Sequence, residues 1–219
     1  MATRQILSEL LADYEHEFGT PVSVESVGGV DATKRVATGE RLDFAVLAAD
    51  AIDDLIAGGT VVGGSRVDLV HSGVAVAVPA GTRHPEIGSG DAVKQAVLDA
   101  GSVGYSTGPS GTALIELFEG WGIAAQLRGR LVQARPGVPV GSLVASGEVE
   151  LGFQQLSELL SLDDVEVVGP LPDEIQITTT FSAGTCTAST RPGAVREMTT
   201  FLASAATAPA KRRHGMEPA

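Results

Sequence analysis

Residues 67–78, VDLVHSGVAVAV, form a nearly continuous β-type run of twelve residues. That is about twice the usual strand of ~5–6 residues. A strand of that length outgrows one small sheet, so it is predicted to carry the chain from one lobe to another. What lies on either side of it supports that expectation.

Before the run, residues 4–18 place Ile6, Leu7, Leu10, Leu11, Tyr14 and Phe18 three and four apart, with Glu9, Asp13 and His16 between them. This spacing predicts an amphipathic helix that stops at Gly19. Residues 21–27 alternate and read as a strand. Gly28-Gly29 then opens a second helix over 31–38. Residues 42–47 read as a buried strand, and Asp50 as the cap of a third helix over 51–57. After the run a second series follows: helix 92–100, strand 102–106, helix 110–121, strand 130–134, helix 140–146, strand 149–154, helix 157–161 and strand 165–168. A second β-type stretch, 175–188, runs back, followed by a helix over 193–206. The basic cluster at residues 211–214 reads as a solvated helix end.

Two βα series joined by two β crossings predict an α/β chain of two lobes, with mixed, mostly parallel sheets and helices on both faces. Lobe I comprises residues 1–72 and 180–219, and lobe II residues 73–179. The 219 residues are 43% hydrophobic and only 4% aromatic, a core of small aliphatics suited to close helix–sheet packing.

A net charge of −12 argues against nucleic acid or an anionic membrane surface as a general partner. It leaves open a small anion, because a local cluster of N–H donors outweighs a distant screened field. A single cysteine, Cys186, excludes an intrachain disulfide and any multi-cysteine metal cage. It reads as a buried small hydrophobe. No spacing of His, Cys and carboxylates suggests a metal, and no phosphate loop, dinucleotide fingerprint or nucleophile elbow is present. No cofactor is expected.

Ligands of open α/β sheets bind outside the carboxyl ends of strands, at helix N-termini. The turns this rule selects are Gly28-Gly29, residues 106–112, residues 137–141, residues 154–157 and, if the first helix starts there, residues 1–3. The richest is VGYSTGPSGT at residues 103–112. Unpaired N–H groups at a helix start, joined by the hydroxyls of Ser106, Thr107, Ser110 and Thr112, make a seat for an anion. The plainer alternative is an ordinary βα turn in which Ser110 only caps the helix.

These strings resemble the type II periplasmic solute-binding proteins, in particular the molybdate-binding receptors of ABC transporters. GPSG at 108–111 resembles the turn opening their oxyanion-binding helix. VGSLVASGEVELG at 140–152 resembles their "LV-x-G-E-A-x-x-G" unit, and GFQQLSE at 152–158 stands at their "G-I-V-Y-x-S/T-D". The chain departs from those receptors at Gly28-Gly29-Val30-Asp31, which lacks a hydroxyl, and at Gln155, where they have Tyr. A branch with "GFQQLSELL", "VGPLP-x-E-IQ" and "FSAG" strings is more similar still, and includes aconitate isomerases.

The resemblance implies an interlobe cleft binding an oxyanion or a di- or tricarboxylate. The expected ligand residues are Thr3, Arg4, Gly29, Ser72, Ser106, Thr107, Ser110, Gly111, Thr112, Val140 and Gln155. Arg4 suits a carboxylate bidentately. The alternative function is isomerisation of an unsaturated polycarboxylate in the same cleft, with His71 as the candidate catalytic residue and Tyr105 and Glu158 as other possible bases. The expected partners are the small anion and, if the protein is exported, an ABC permease; the chain is expected to be a monomer. As given, the chain has no signal peptide and reads as cytoplasmic. The resemblance also implies a first strand upstream of Met1, which would leave room for a leader and put the protein outside the cytoplasm.

Overall fold

The computed structural model describes residues 2–219. In chain order it contains α1 (Arg4–Phe18), α2 (Gly29–Ala37), β1 (Phe44–Ala48), α3 (Ala49–Ala57), β2 (Val67–Pro79), α4 (Gly90–Asp99), β3 (Val103–Tyr105), α5 (Pro109–Gly120) and β4 (Leu131–Gln133). There follow α6 (Val140–Ala145), β5 (Leu151–Gln155), α7 (Leu156–Leu159), β6 (Val165–Pro170), β7 (Thr178–Thr185), α8 (Pro192–Ala203), α9 (Ala208–Arg213) and β8 (Met216–Pro218). The chain forms two compact units. Unit 1 holds the residues up to Ser72 and Thr179–Ala219; unit 2 is Gly73–Thr178. The divisions fall inside β2 and β7, the two long β-type stretches of the sequence.

In unit 1, β1 pairs antiparallel with β7, from Phe44 opposite Thr185 to Ala48 opposite Phe181. Alternation along β1 sends its side chains to two cores. Ala45 and Leu47 join Val36, Ile52, Leu55 and Cys186, while Phe44 and Val46 pack on the cluster of α1, with Leu69, Met198, Leu202 and Met216. α1 buries the stripe read from its spacing, Ile6, Leu7, Leu10, Leu11 and Tyr14. Gly19 ends it at φ 67°, donating its N–H to Glu15 O, a left-handed turn that glycine adopts without a Cβ clash.

In unit 2 the strand order is β4-β3-β5-β2-β6. The apolar run of β2 is buried on both sides. Val74, Val76 and Val78 face a cluster with Val93, Val97, Leu114 and Phe118 of α4 and α5. Ala75 and Ala77 face Val140, Val144 and Leu159 of α6 and α7. Helices therefore cover both faces of this sheet, as the βα series predicts.

Several expectations are corrected. The sheets are mixed, but among the named ladders only β3–β4 and β3–β5 are parallel. β2 pairs antiparallel with β5, β6 and β8. Residues 21–27 form no strand: Val22 packs against the α1 cluster, but Val24 is 41% exposed, so the alternation does not carry through to a buried face. Asp50 does not cap α3 from outside. It lies in the first turn, its carboxylate accepting the Ala51 N–H at 2.9 Å. The basic tail is solvated only in part: Arg212 and Arg213 are exposed, while Lys211 is not. Lys211 is 1% exposed, and Met216 beyond it pairs with Ser72 of β2.

Candidate functional site

Seven of the candidate ligand residues lie in unit 2, and the sheet brings their turns to one edge. β4, β3 and β5 are parallel neighbours, with Gly104 opposite both Val132 and Gly152. Their carboxyl ends therefore emerge side by side. The turn into α5 leaves β3, the turn into α6 leaves β4, and α7 follows β5 without a break. This edge is where open parallel sheets collect ligands.

At the start of α5 the N-cap is Gly108, and no side chain caps the helix. Gly108 O accepts the N–H of Gly111 at 2.9 Å and of Thr112 at 3.2 Å. The Ser106 and Ser110 hydroxyls lie 3.3 Å apart, so Ser110 does not serve as the plain cap. Gly111 has a packing role: a Cβ there would come within 1.9 Å of Ser106 O. The glycine lets the helix close down on the strand end and sets the two hydroxyls against each other. Thr107 and Thr112 are exposed.

The start of α6 differs from expectation. Val140 is fully buried, and its side chain lies over Gly104 and Gly152, where a Cβ would sit 2.9 and 3.3 Å away. The next donor, Gly141 N–H, is taken by Gln154 Oε1 at 2.7 Å. A side chain from β5 closes this helix, so it is no open seat for an anion. Gln154 and Gln155 are both buried, at 3% and 5% exposure, and stand opposite Ala75 and Val74 of β2, on its two faces.

Gln154 also links α6 to a carboxylate, its Nε2 donating to Glu158 Oε2 at 2.7 Å. Burial pushes the Glu158 carboxyl above its ordinary range, against smaller downward pulls from the charge of the amino terminus and then from the Gln154 hydrogen bond. Next to it, the Ser157 hydroxyl is buried without a hydrogen-bond partner among the described residues. The Gln154 relay was not legible from sequence. Its only signal is a pair of amides ending a strand just before a Glu.

Unit 1 holds the other candidates. Thr3 is the N-cap of α1 and 8% exposed, with no side-chain cap bond. Arg4 is exposed at the helix start and makes no side-chain hydrogen bond or ion pair among the described residues. Gly29 opens α2, and its carbonyl accepts the Thr33 hydroxyl at 2.9 Å. Ser72 is fully buried on β2. His71 Nδ1 lies 2.9 Å from Thr180 Oγ1 on β7, a structural bond that ties up one ring nitrogen. Among the described residues no group of three or more His, Cys, Asp or Glu could hold a metal ion, and no helix is long and apolar enough to cross a membrane. Cys186 is buried, its thiol pushed up to about 11 by desolvation and by Asp43.

The profile of a family described as "Bacterial extracellular solute-binding protein" matches residues 1–217. An aconitate isomerase of a Pseudomonas species is 35% identical over 220 aligned positions, covering 97% of this chain and 83% of that protein. The periplasmic molybdate-binding protein of Azotobacter vinelandii superposes with a TM-score of 0.78 at 19% identity, over 98% of this chain and 95% of its own. The sulfate-binding protein of Mycobacterium tuberculosis gives 0.76 at 16% identity, over 99% and 83%. These two are likenesses of fold.

Proposed function

The chain belongs to the bacterial extracellular solute-binding proteins, and from that premise we propose that it binds a small anion at the carboxyl ends of β3 and β5. The observation that carries this reading is the Ser106–Ser110 pair. Two hydroxyls stand 3.3 Å apart at the start of a twelve-residue helix, and neither is spent on capping it. Hydroxyls and first-turn N–H groups at the positive end of a helix dipole suit an oxyanion or a carboxylate. A di- or tricarboxylate is the preferred class, ahead of molybdate or sulfate, because the relative at 35% identity is an aconitate isomerase. The same reading has the protein working outside the cytoplasm, as a monomer, with an ABC permease as its partner.

A thermal-shift panel of molybdate, sulfate, citrate and trans-aconitate on the full chain tests it. A bound anion at 100 times its dissociation constant adds about 2.7 kcal/mol of stability. Ser110→Ala is expected to weaken the preferred anion about tenfold. Absence of stabilisation by any of the four would overturn the proposal.

The second reading, isomerisation of an unsaturated polycarboxylate, is favoured by the 35% identity to an aconitate isomerase over nearly the whole chain. Conversion of trans-aconitate, followed by absorbance, tests it directly.

A further inference from the structure

We infer that Glu158 is the proton carrier of this site: its carboxylate takes a proton from the methylene carbon of a bound unsaturated polycarboxylate and returns it to the former vinylic carbon. The inference rests on the anion-binding reading and adds to it the residue that would do chemistry.

Three positions were open from the sequence, and their surroundings separate them. His71 has one ring nitrogen engaged by Thr180 and lies in unit 1. Tyr105 ends β3, and among the described residues no hydrogen bond orients its hydroxyl. Glu158 lies one turn beyond the end of β5, on the edge where the Ser106–Ser110 turn emerges. Its carboxyl group is oriented on one side, Oε2 being held at 2.7 Å by Gln154, which is itself anchored to the Gly141 N–H. An oriented, half-buried carboxylate is what proton abstraction from carbon needs.

Its environment also raises its basicity. α7 packs on β5 and β6. Neither β5 nor the adjacent α6 carries a titratable side chain, and α7 has only Glu158 itself. The one such group of β6, Glu166, is occupied by the Gly81 N–H and by His84. No second carboxylate causes the upward shift. Desolvation does, outweighing the opposing charge of the amino terminus and the Gln154 hydrogen bond, and desolvation makes the ionised form a stronger base.

The step balances without a co-reactant. The proton leaves the methylene carbon for the Glu158 carboxylate. The C–H electron pair becomes the new C=C bond, and the pair of the old double bond moves onto its conjugated carboxylate as an enolate. Return of that pair to the former vinylic carbon, with the proton from Glu158, completes the shift. Hydroxyls and N–H donors at the start of α5 are placed to meet the enolate charge.

The experiment uses the full chain with trans-aconitate in deuterated water, reading deuterium incorporation by NMR and affinity by calorimetry. The unaltered protein is expected to exchange and isomerise its ligand. Glu158→Gln is expected to lose exchange at least about 100-fold while its affinity changes far less. Glu158→Asp, which keeps a carboxyl group, should retain exchange above that of Glu158→Gln, with a displaced pH profile. Undiminished exchange in Glu158→Gln, or a protein that binds trans-aconitate and exchanges nothing, would overturn the inference with anion binding intact. If Glu158→Gln does not fold, the pH profile of the unaltered protein decides: exchange must rise through one ionisation displaced above 4.5, and a flat profile overturns the assignment. A protein that binds none of the four anions would instead remove the binding reading, and this inference with it.

Discussion

Gln154 on β5 accepts the N–H of Gly141 on α6 at 2.7 Å, both groups being buried. One amide thereby closes the first turn of a helix on the sheet face and, through its Nε2, holds Glu158. Gln154→Leu fills the same space but leaves the Gly141 N–H unpaired. A buried orphaned donor costs about 1–3 kcal/mol, so a loss of that size is expected in urea unfolding. The Glu158 carboxyl, losing a hydrogen bond that now lowers its pKa, should titrate higher still by NMR.

Gly111→Ala is expected to be damaging out of proportion to its single methyl group. The added Cβ would fall 1.9 Å from Ser106 O and 2.8 Å from Ser106 C, backbone atoms that no side-chain rotation can move. Over-packing of this kind costs about 1–3 kcal/mol or more. Separating Ser106 from Ser110 should also cost anion affinity, as read by calorimetry.

Lys211 is 1% exposed on α9 and makes no hydrogen bond or ion pair among the described residues, and desolvation lowers its pKa from 10.5. Below the lowered value the ammonium is charged in both the folded and the unfolded chain, and its burial is a constant cost. Between that value and 10.5 the unfolded chain holds more protons, so stability rises with pH across this window. Lys211→Met keeps the apolar stem and removes the charge. It is expected to raise the unfolding midpoint at neutral pH and to abolish the alkaline rise.

Glu9 of α1 holds the end of α9 through His214, at 2.7 Å, and through Arg213. These partners, His214 first, keep its carboxyl below the model-compound value of 4.5 despite some burial. The stabilisation is present above pH 4.5 and is lost as pH falls through the lowered folded value. Because the pair is partly exposed it is worth less than ~1 kcal/mol. Glu9→Gln should therefore show faster amide exchange at residues 208–218 at neutral pH with little change in global stability, and a smaller acid-induced loss.

Much of this was legible where a period met a core. The stripe of α1, the helix opened by Gly28-Gly29 and the double-sided burial of β2 follow from spacing alone, because a helix or strand has only one way to bury such a pattern. Residues 21–27 carry the same kind of alternation, yet Val24 remains exposed. A strand needs a neighbour, and the sequence does not say where that neighbour is. The tail misled at one position: three successive basic residues read as solvated, and Arg212 and Arg213 are, while the helix rotates Lys211 inward.

At the site, the sequence by itself determined the residue types: hydroxyls around a Gly-Pro turn ahead of a helix, and two amides and a carboxylate at the end of a buried strand. The tertiary structure alone decided how they are used. Parallel registration of β3 with β4 and β5 brings three turns to one edge, and Gly111 lets a backbone carbonyl sit where a side chain would be. Hydrogen bonding across 13 residues makes Gln154 the closure of α6 rather than leaving that helix open. Burial, which depends on every element packed around a position, sets the basicity of Glu158. Spacing along a chain encodes the local pattern; hydrogen-bond partners and dielectric surroundings come only from residues distant in sequence.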